Sequence, residues 1–363
     1  MKTHKYIFRV DSSSIIGSGH VMRCLALAES LNSLGCSCTF ISRNLDGNIN
    51  NLIKDRKFPL IELPKPKNNF KDNQEIEHAS WLETSWEHDA EETIEVLKNM
   101  NYETLIVDHY ALWLPWEKKI KDYIKKIFVI DDLGDREHYC DYILDHNLGT
   151  NEEKYMALIP KNCKTMFGTK YALINQKFSK YRNYSIKRRN LSPSKKLLIN
   201  FGGGDPQNYI MKIIDAIRVY KLPTDISIEI ILGPINSKYM DTDSAIKKIP
   251  NEIHLYKYKE NMAEFLSNID LVIGAAGSSS WERCCLGVPA IMFSLAYNQN
   301  DIGEALLKSG SAVLMTDTDI KNGNLIRKVK NLFSSGALEI MSEKALQLVD
   351  GKGIERVIGK LNE

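Results

Sequence analysis

The sequence predicts an α/β protein made of two domains, each built on a parallel sheet covered on both faces. Three observations carry this. Apolar runs of strand length alternate with helix-period segments through the first half. After a basic stretch near 177–196 the same alternation restarts. Polar and glycine-rich segments recur just past the ends of the apolar runs, where open parallel sheets bind ligands.

The elements follow in order. Residues 6–10 read as a strand and 11–19 as a loop of serines and glycines. Residues 21–34 read as a helix, with Val21, Leu25, Ala28 and Leu31 on one stripe and Gly35 as its C-terminal stop. Strands are predicted at 38–42, 104–107 and 126–130, with helices near 86–99 and 115–124. A long polar surface loop is predicted at 62–77. The second half predicts strands at 196–201, 226–232, 254–256, 270–274, 289–294 and 312–315. Helices are predicted at 211–220, 262–268, 280–286 and 299–309, and near 323–333 and 339–349. The resulting division is a first domain at 1–175, a connector at 176–194 and a second domain at 195–363, with the last helix packing back on the first domain. Two such domains imply a cleft, a common place for a ligand.

Composition narrows the function classes. Of 363 residues, 43% are hydrophobic and 26% are charged, as in ordinary globular proteins. Lys and Arg total 48 against 46 for Asp and Glu, a formal charge of +2, which gives no support to bulk nucleic-acid binding. The apolar runs are far short of the ~20 residues a membrane span needs, so no stable membrane insertion is expected. No signal peptide is read at the N-terminus. Seven scattered cysteines suggest a reduced, cytoplasmic protein without a disulfide framework. No four-ligand zinc spacing emerges, and neither a metal nor another cofactor is expected. The default oligomeric state is a monomer.

Candidate chemistry gathers after the strands. Gly17 and Gly19 permit a tight loop whose N–H groups face a ligand. The loop is neither a Walker A nor a GxGxxG motif. His20 opens the following helix, where the N-terminal field disfavours an imidazolium and leaves a neutral base; the competing reading is a histidine that caps or packs against the loop. Asp11, Asp108, His109 and Tyr110 follow predicted strands, as do Asp131 and Asp132. Gly202, Gly203 and Gly204 suggest close backbone approach. Ser278, Ser279 and Ser280 start a helix suited to a phosphate. Ser279 and Glu282 fit a capping box, yet Glu282 could equally accept from vicinal hydroxyls. The amide of Asn298 could contact a sugar. The basic stretch 177–196 reads as a connector in preference to a phosphate-facing patch.

These residues resemble a known family. Arg9, the run Asp11–His20 and the following Val21-Met22-Arg23-Cys24-Leu25-Ala26-Leu27-Ala28 resemble the opening signature of the UDP-2,4-diacetamido-2,4,6-trideoxy-beta-L-altropyranose hydrolases (PseG) of pseudaminic acid biosynthesis. Further resemblances are Ile106-Val107-Asp108-His109-Tyr110, Ile130-Asp131-Asp132-Leu133, Cys140-Asp141, Phe167-Gly168 with Tyr171-Ala172-Leu173-Ile174, Asn200–Asp205 and Ala275–Glu282. The later ones are shared with MurG-like glycosyltransferases. The resemblance implies a GT-B fold, two Rossmann-like domains facing across a cleft that holds a UDP-sugar. It implies hydrolysis at the anomeric C–O bond, with inversion and no required metal, giving UDP and 2,4-diacetamido-2,4,6-trideoxy-L-altrose. It places catalysis on His20, a cleft tyrosine on Tyr110 and a nucleotide-side glutamate on Glu282. The physical reading of the residues adds Asp11, Asp108 and Tyr110 near the sugar or water, and Gly17, Gly19, Gly203, Gly204, Ser278–Ser280 and Asn298 for UDP and substrate binding. The alternative is a MurG-like UDP-sugar glycosyltransferase.

Overall fold

The computed structural model describes residues 4–66, 76–191, 195–203, 205, 207–233, 236 and 238–363. It forms two compact units, one of Met1–Asn175 with Gly353–Glu363 and one of Gln176–Lys352.

The first unit is built on strands β1 (Lys5–Val10), β2 (Ser37–Arg43), β3 (Leu60–Leu63), β4 (Thr104–Asp108), β5 (Lys126–Ile130), β6 (Tyr142–Asp145) and β7 (Lys164–Phe167). Their order is β3-β2-β1-β4-β5-β6-β7, and all pairs are parallel. Alternate residues feed two cores, because successive side chains point to opposite faces. Phe8, Phe40, Ile106 and Phe128 lie in one; Ile7, Ile41, Leu105 and Ile127 lie in the other. Phe8 and Phe40 stack at 4.7 Å between centroids. Burying each such ring stabilises by about 1.5–3 kcal/mol. The sequence predicts β1, β2, β4 and β5 but not β3, β6 and β7. Those three are only four residues long, too short for an apolar run to stand out from loop.

The Gly19–Ser33 helix packs Val21, Leu25, Ala28 and Leu31 into the Phe8 core and is followed by Gly35 at φ +84°. The Gly353–Leu361 helix adds Ile354, Val357, Ile358 and Leu361 to that core, so the end of the chain belongs to the first unit.

The second unit is built on β8 (Lys196–Asn200), β9 (Ser227–Ile231), β10 (Ile253–Tyr256), β11 (Leu271–Ala275), β12 (Ala290–Phe293) and β13 (Ala312–Leu314). Their order is β10-β9-β8-β11-β12-β13, again wholly parallel. In each sheet the chain reverses its direction of travel at the central pair, β1/β4 and β8/β11. Such switch points open a crevice at the strands' carboxyl ends.

The expected connector at 176–194 is corrected by the structure. Gln176–Leu191 is a helix of the second unit, and 192–194 lie outside the described residues. Its basic side chains satisfy backbone carbonyls left open where other segments end. Arg182 donates to the carbonyls of Cys285 (2.6 Å), Leu346 (2.8 Å) and Val349 (2.8 Å). Arg188 reaches Ser267 and Ile269 carbonyls at 3.1 and 3.2 Å, and Arg189 donates to the Leu286 carbonyl. The charge run is thus structural, which periodicity alone could not show.

Candidate active site

The β1/β4 switch point positions the chemistry of the first unit. β1 leads through Asp11–Ser18 to the Gly19–Ser33 helix, and β4 ends at Asp108. His20 lies in the first turn of that helix. Its Nδ1 is 2.6 Å from Asp108 Oδ1. A carboxylate acceptor fixes the Nδ1–H tautomer, leaving Nε2 with its lone pair free. No described residue hydrogen-bonds Nε2, and the side chain keeps 9% exposure.

Arg23, one turn along the same helix, closes the group. Its Nε donates to Asp108 Oδ2 and its Nη2 to Asp108 Oδ1, both at 2.6 Å. Its Nη1 donates to Asp132 Oδ2 at 2.8 Å. Tyr110 donates its hydroxyl to Asp132 Oδ1 at 2.5 Å, and its ring meets the His20 ring edge-on at 4.6 Å. Five side chains therefore form a ring: His20, Asp108, Arg23, Asp132, Tyr110. Burial pushes the Asp108 carboxyl up, but Arg23 and His20 outweigh it and hold Asp108 well below the usual carboxylate range. Asp132 is likewise lowered, burial being outweighed by Arg23. Burial and the neighbouring Asp132 push the Tyr110 phenol up, so it stays protonated.

An aromatic wall stands beside this ring. Trp81 stacks on Tyr110 at 5.2 Å, and His78 meets both rings edge-on, at 4.7 Å to Trp81 and 5.2 Å to Tyr110. Burial lowers the His78 imidazole, so it stays neutral at pH 7. Sequence reading missed Arg23, Trp81 and His78 as site residues. The His20–Arg23 spacing of three on a helix was the available signal. Trp81 and His78 carried none, because nothing local ties them to β4.

Other expected residues lie elsewhere or act indirectly. Asp11 has no exposed surface and belongs to a different network. Its Oδ1 accepts from Arg9 Nη1 at 2.5 Å and the Arg43 N–H at 2.7 Å, and its Oδ2 lies 3.2 Å from His109 Nε2. Arg9 and Arg43 also grip the buried Asp89, at 2.5 and 2.7 Å. Asp11 thus anchors the loop after β1 from beneath, a correction to its expected place near substrate. Asp108 is fully buried too and bonds to His20 and Arg23. Gly17 has φ +79° with open space around it, and Gly19 begins the helix.

In the second unit, β8 and β11 approach closely. A Cβ on Gly274 would fall 2.3 Å from the Asn200 carbonyl, and one on Gly233 (φ +89°) 2.3 Å from the Gly202 carbonyl. Gly203 lies in this convergence; Gly204 lies outside the described residues. The helix after β11 is Ser279–Leu286, capped by Ser278 with no side-chain bond to its open N–H groups. The predicted capping box is corrected. Ser279 Oγ instead accepts from Arg283 Nη1 at 3.0 Å, and Glu282 bonds to no described residue. Ser280 is buried, its Oγ 2.7 Å from Arg283 Nη2, so that hydroxyl faces inward. Arg283 also donates to the Ala275 carbonyl at 3.0 Å and has no ion-paired carboxylate among the described residues. A buried guanidinium without an ion-paired carboxylate among the described residues thus lies behind an open helix N-terminus, which favours an anion there. Burial pushes the half-buried Glu282 carboxyl up to about 7, partly offset by Arg283. Asn298 sits in the short Tyr297–Gln299 turn, and its side chain lies outside the described set.

One described group, Glu77, His78 and Asp135, brings its ligand atoms within 4.8 Å of one another. Asp135 is already paired with Arg136 at 2.8 Å. All seven cysteines are free thiols.

These arrangements can be compared with known proteins. The profile of the glycosyltransferase family 28 C-terminal domain matches residues 198–357. The structure of Acinetobacter baumannii MurG superimposes with a TM-score of 0.72 at 15% identity, covering 99% of both chains. The chain has a GT-B fold. It is 28% identical over 310 residues to a UDP-2,4-diacetamido-2,4,6-trideoxy-beta-L-altropyranose hydrolase of Campylobacter jejuni, covering 85% of this chain and 98% of that protein. It is 25% identical over 287 residues to the uncharacterized protein MJ1062 of Methanocaldococcus jannaschii, covering 78% of this chain but only 54% of that protein. It is 24% identical over 152 residues to a UDP-N-acetylglucosamine--N-acetylmuramyl-(pentapeptide) pyrophosphoryl-undecaprenol N-acetylglucosamine transferase of Listeria monocytogenes, covering 40% of this chain and 42% of that protein. This GT-B protein is therefore related to both MurG-like transferases and a hydrolase. Among the described residues, no helix is long and apolar enough to cross a membrane.

Proposed function

We propose that this GT-B protein is an enzyme acting on a UDP-sugar, and that it hydrolyses UDP-2,4-diacetamido-2,4,6-trideoxy-beta-L-altropyranose or a close relative. The observation that carries the reading is the His20–Asp108 pair at 2.6 Å, with His20 Nε2 bonded to no described residue. The relative of like name that matches over 98% of its length supports the substrate.

In this reading His20 and its neighbours in the first unit handle the sugar and water. His20 Nε2 takes a proton from water as the water oxygen bonds to the anomeric carbon. The bond from that carbon to the UDP oxygen breaks, and its electron pair leaves with the diphosphate. Asp108 accepts from Nδ1–H and stabilises the imidazolium formed. In the second unit, the open N–H groups at Ser278–Ser279, backed by Arg283, suit the charge of a diphosphate. Glu282, which bonds to no described residue, accepts from the ribose hydroxyls. Gly17 and Gly19 bring backbone close to the substrate.

The second reading is transfer to a sugar acceptor, and more of the comparisons stand behind it. The family 28 match, the transferase relatives and MurG all favour it. Ile15 and Met22 also stand exposed, at 74% and 43%, on the loop and helix that carry His20. Such side chains suit an apolar acceptor like the undecaprenol carrier in the transferase relatives' names. The deciding experiment is UDP release from the named UDP-sugar without acceptor or metal, beside His20→Ala. Release that falls by ~10²-fold or more in the variant supports hydrolysis through His20. Binding without release overturns hydrolysis in favour of transfer. Release unchanged in the variant keeps hydrolysis and removes His20 as its base.

A further inference from the structure

We infer that Cys140 and Cys163 are an oxidation site: a hydroperoxide closes a reversible disulfide between them that staples β6 to β7 at the edge of the first unit's sheet. The inference does not depend on the UDP-sugar reading.

The two residues are 23 positions apart in sequence, yet their Sγ atoms lie 3.6 Å from each other. The sheet brings them there. Cys140 precedes β6 by two residues, and Cys163 directly precedes β7. Backbone hydrogen bonds bracket the pair on both sides. The His138 N–H donates to the Leu158 carbonyl at 2.7 Å, and the Lys164 N–H donates to the Asp141 carbonyl at 2.9 Å. The Cys163 N–H donates to the Pro160 carbonyl at 2.9 Å, which fixes the turn ahead of β7. A disulfide bond is about 2.05 Å long, so about 1.5 Å of approach closes it, within reach of rotation about the two Cα–Cβ bonds.

The other cysteines are placed differently. Cys24 and Cys38 donate to Asp108 Oδ2 and to the Ala28 carbonyl. Cys284 and Cys285 are successive residues of one helix, so their side chains diverge. Among the described residues, Cys140 and Cys163 are the one pair of thiols bonded to each other.

Burial divides the chemistry between them. Cys163 is partly exposed and Cys140 is buried, so a small oxidant meets Cys163 first. The Cys163 sulfur attacks the terminal oxygen of the hydroperoxide. The O–O bond breaks, the thiol proton leaves with the alcohol or water released, and a sulfenic acid remains. Cys140 then attacks the Cys163 sulfur. The S–S bond forms, the S–O bond breaks, and hydroxide leaves as water with the Cys140 proton. In total two thiols lose two electrons to one hydroperoxide. The Cys163 contact and burial hold the Cys140 thiol well above its ordinary value, so it is unreactive by itself. An electrophile fixed beside it overcomes this by proximity, and the bracketed backbone fixes one.

The bond would join two segments that support the candidate site. One carries Arg136 against the Tyr110 ring and His138 against Glu117. The other follows Tyr155, whose hydroxyl bonds Asp131.

The test uses the full-length protein, fully reduced and then treated with hydrogen peroxide. Peptide mapping should find Cys140 joined to Cys163, with the intact mass lower by two hydrogens and restored by dithiothreitol. Cys140→Ser should stop at a sulfenic acid on Cys163, captured by dimedone, and Cys163→Ser should form no disulfide. The thermal unfolding midpoint of the oxidised protein should exceed that of the reduced protein by roughly 5 °C or more, a gap absent from both variants. Oxidation that goes to other cysteines while these two stay thiols overturns the inference. So does a midpoint that fails to rise when the disulfide forms. Should either variant fail to fold, mapping and unfolding of the native protein decide, since neither needs a substitution.

Discussion

Asp108 Oδ1 accepts from His20 Nδ1 at 2.6 Å, and the carboxylate itself has no exposed surface. Replacing Asp108 by Asn keeps the size of the side chain but removes the charge that stabilises an imidazolium, and its amide can bond the other tautomer. Asp108→Asn should lower the rate of UDP release by about 10²–10⁴-fold. UDP affinity, measured by calorimetry, should stay within about twofold, since the nucleotide is assigned to the second unit. A rate within about threefold of the native one would contradict the pair's role.

Trp81 stacks on Tyr110, whose ring in turn meets His20 edge-on. Trp81→Ala leaves the wall one ring short and frees Tyr110 to shift. Because misplacement by ~1 Å can cost about 10²-fold, the rate should fall at least ~10-fold. Trp81→Phe should recover most of it. Steady-state kinetics on both variants checks this; equal losses in both would show that stacking is not what matters.

Glu282 is predicted to make nucleotide binding pH-dependent. Its carboxyl is raised to about 7 by burial, and only the ionised form accepts from two hydroxyls at once. UDP affinity should therefore rise as pH increases through about 7. Glu282→Gln should lose this component. Taking the difference between the two proteins by calorimetry at pH 5.5 and 8.5 removes the titration of UDP itself. Parallel curves for the two would contradict the assignment.

His138 should make the first unit less stable at alkaline pH. It lies 2.7 Å from Glu117 and 3.6 Å from Asp131, fully buried, and these carboxylates outweigh burial to raise it to about 9. A histidine raised in the folded state stabilises fully below its unfolded value of about 6.5. That contribution is lost as pH rises through about 9. The loss between pH 6.5 and 9.5 should be on the order of 2–3 kcal/mol by urea unfolding. His138→Gln should flatten the slope, and a native protein with no slope in this range would contradict the pairing.

Arg182 holds three carbonyls of the second unit. Arg182→Ala leaves them without that donor and should cost about 2–4 kcal/mol in unfolding free energy. UDP release per folded molecule should be unchanged. A larger effect on rate than on stability would restore a ligand-facing role for this basic helix.

Much of the fold was legible because its signals are local. The alternation that fills two cores from one strand, as Ile7 and Phe8 do, lies in adjacent residues. So does the stripe Val21, Leu25, Ala28 and Leu31. β6 and β7 were not legible, since four residues give no period and their place in the sheet depends on β5. The Gln176–Leu191 helix was hidden for a different reason. Its charged side chains reach main-chain carbonyls far along the chain, which no local pattern encodes.

The site divides along the same line. The sequence by itself determined that the segment after β1 carries a histidine at a helix start, and that an aspartate ends β4 with a tyrosine two residues on, because each is a short run of neighbouring residues. Only the tertiary structure decided that His20 and Asp108, 88 positions apart, share a hydrogen bond while Asp11 turns away to Arg9. The β1/β4 pairing makes that choice: it places the two strand ends side by side, and the direction of each side chain past them follows from the pleat and the helix turn. Glu282 shows the same limit, since its cap and ligand roles have identical spacing. The helix begins one residue earlier than the box requires, at Ser279 with Ser278 as its cap, and leaves the carboxylate without a backbone partner among the described residues.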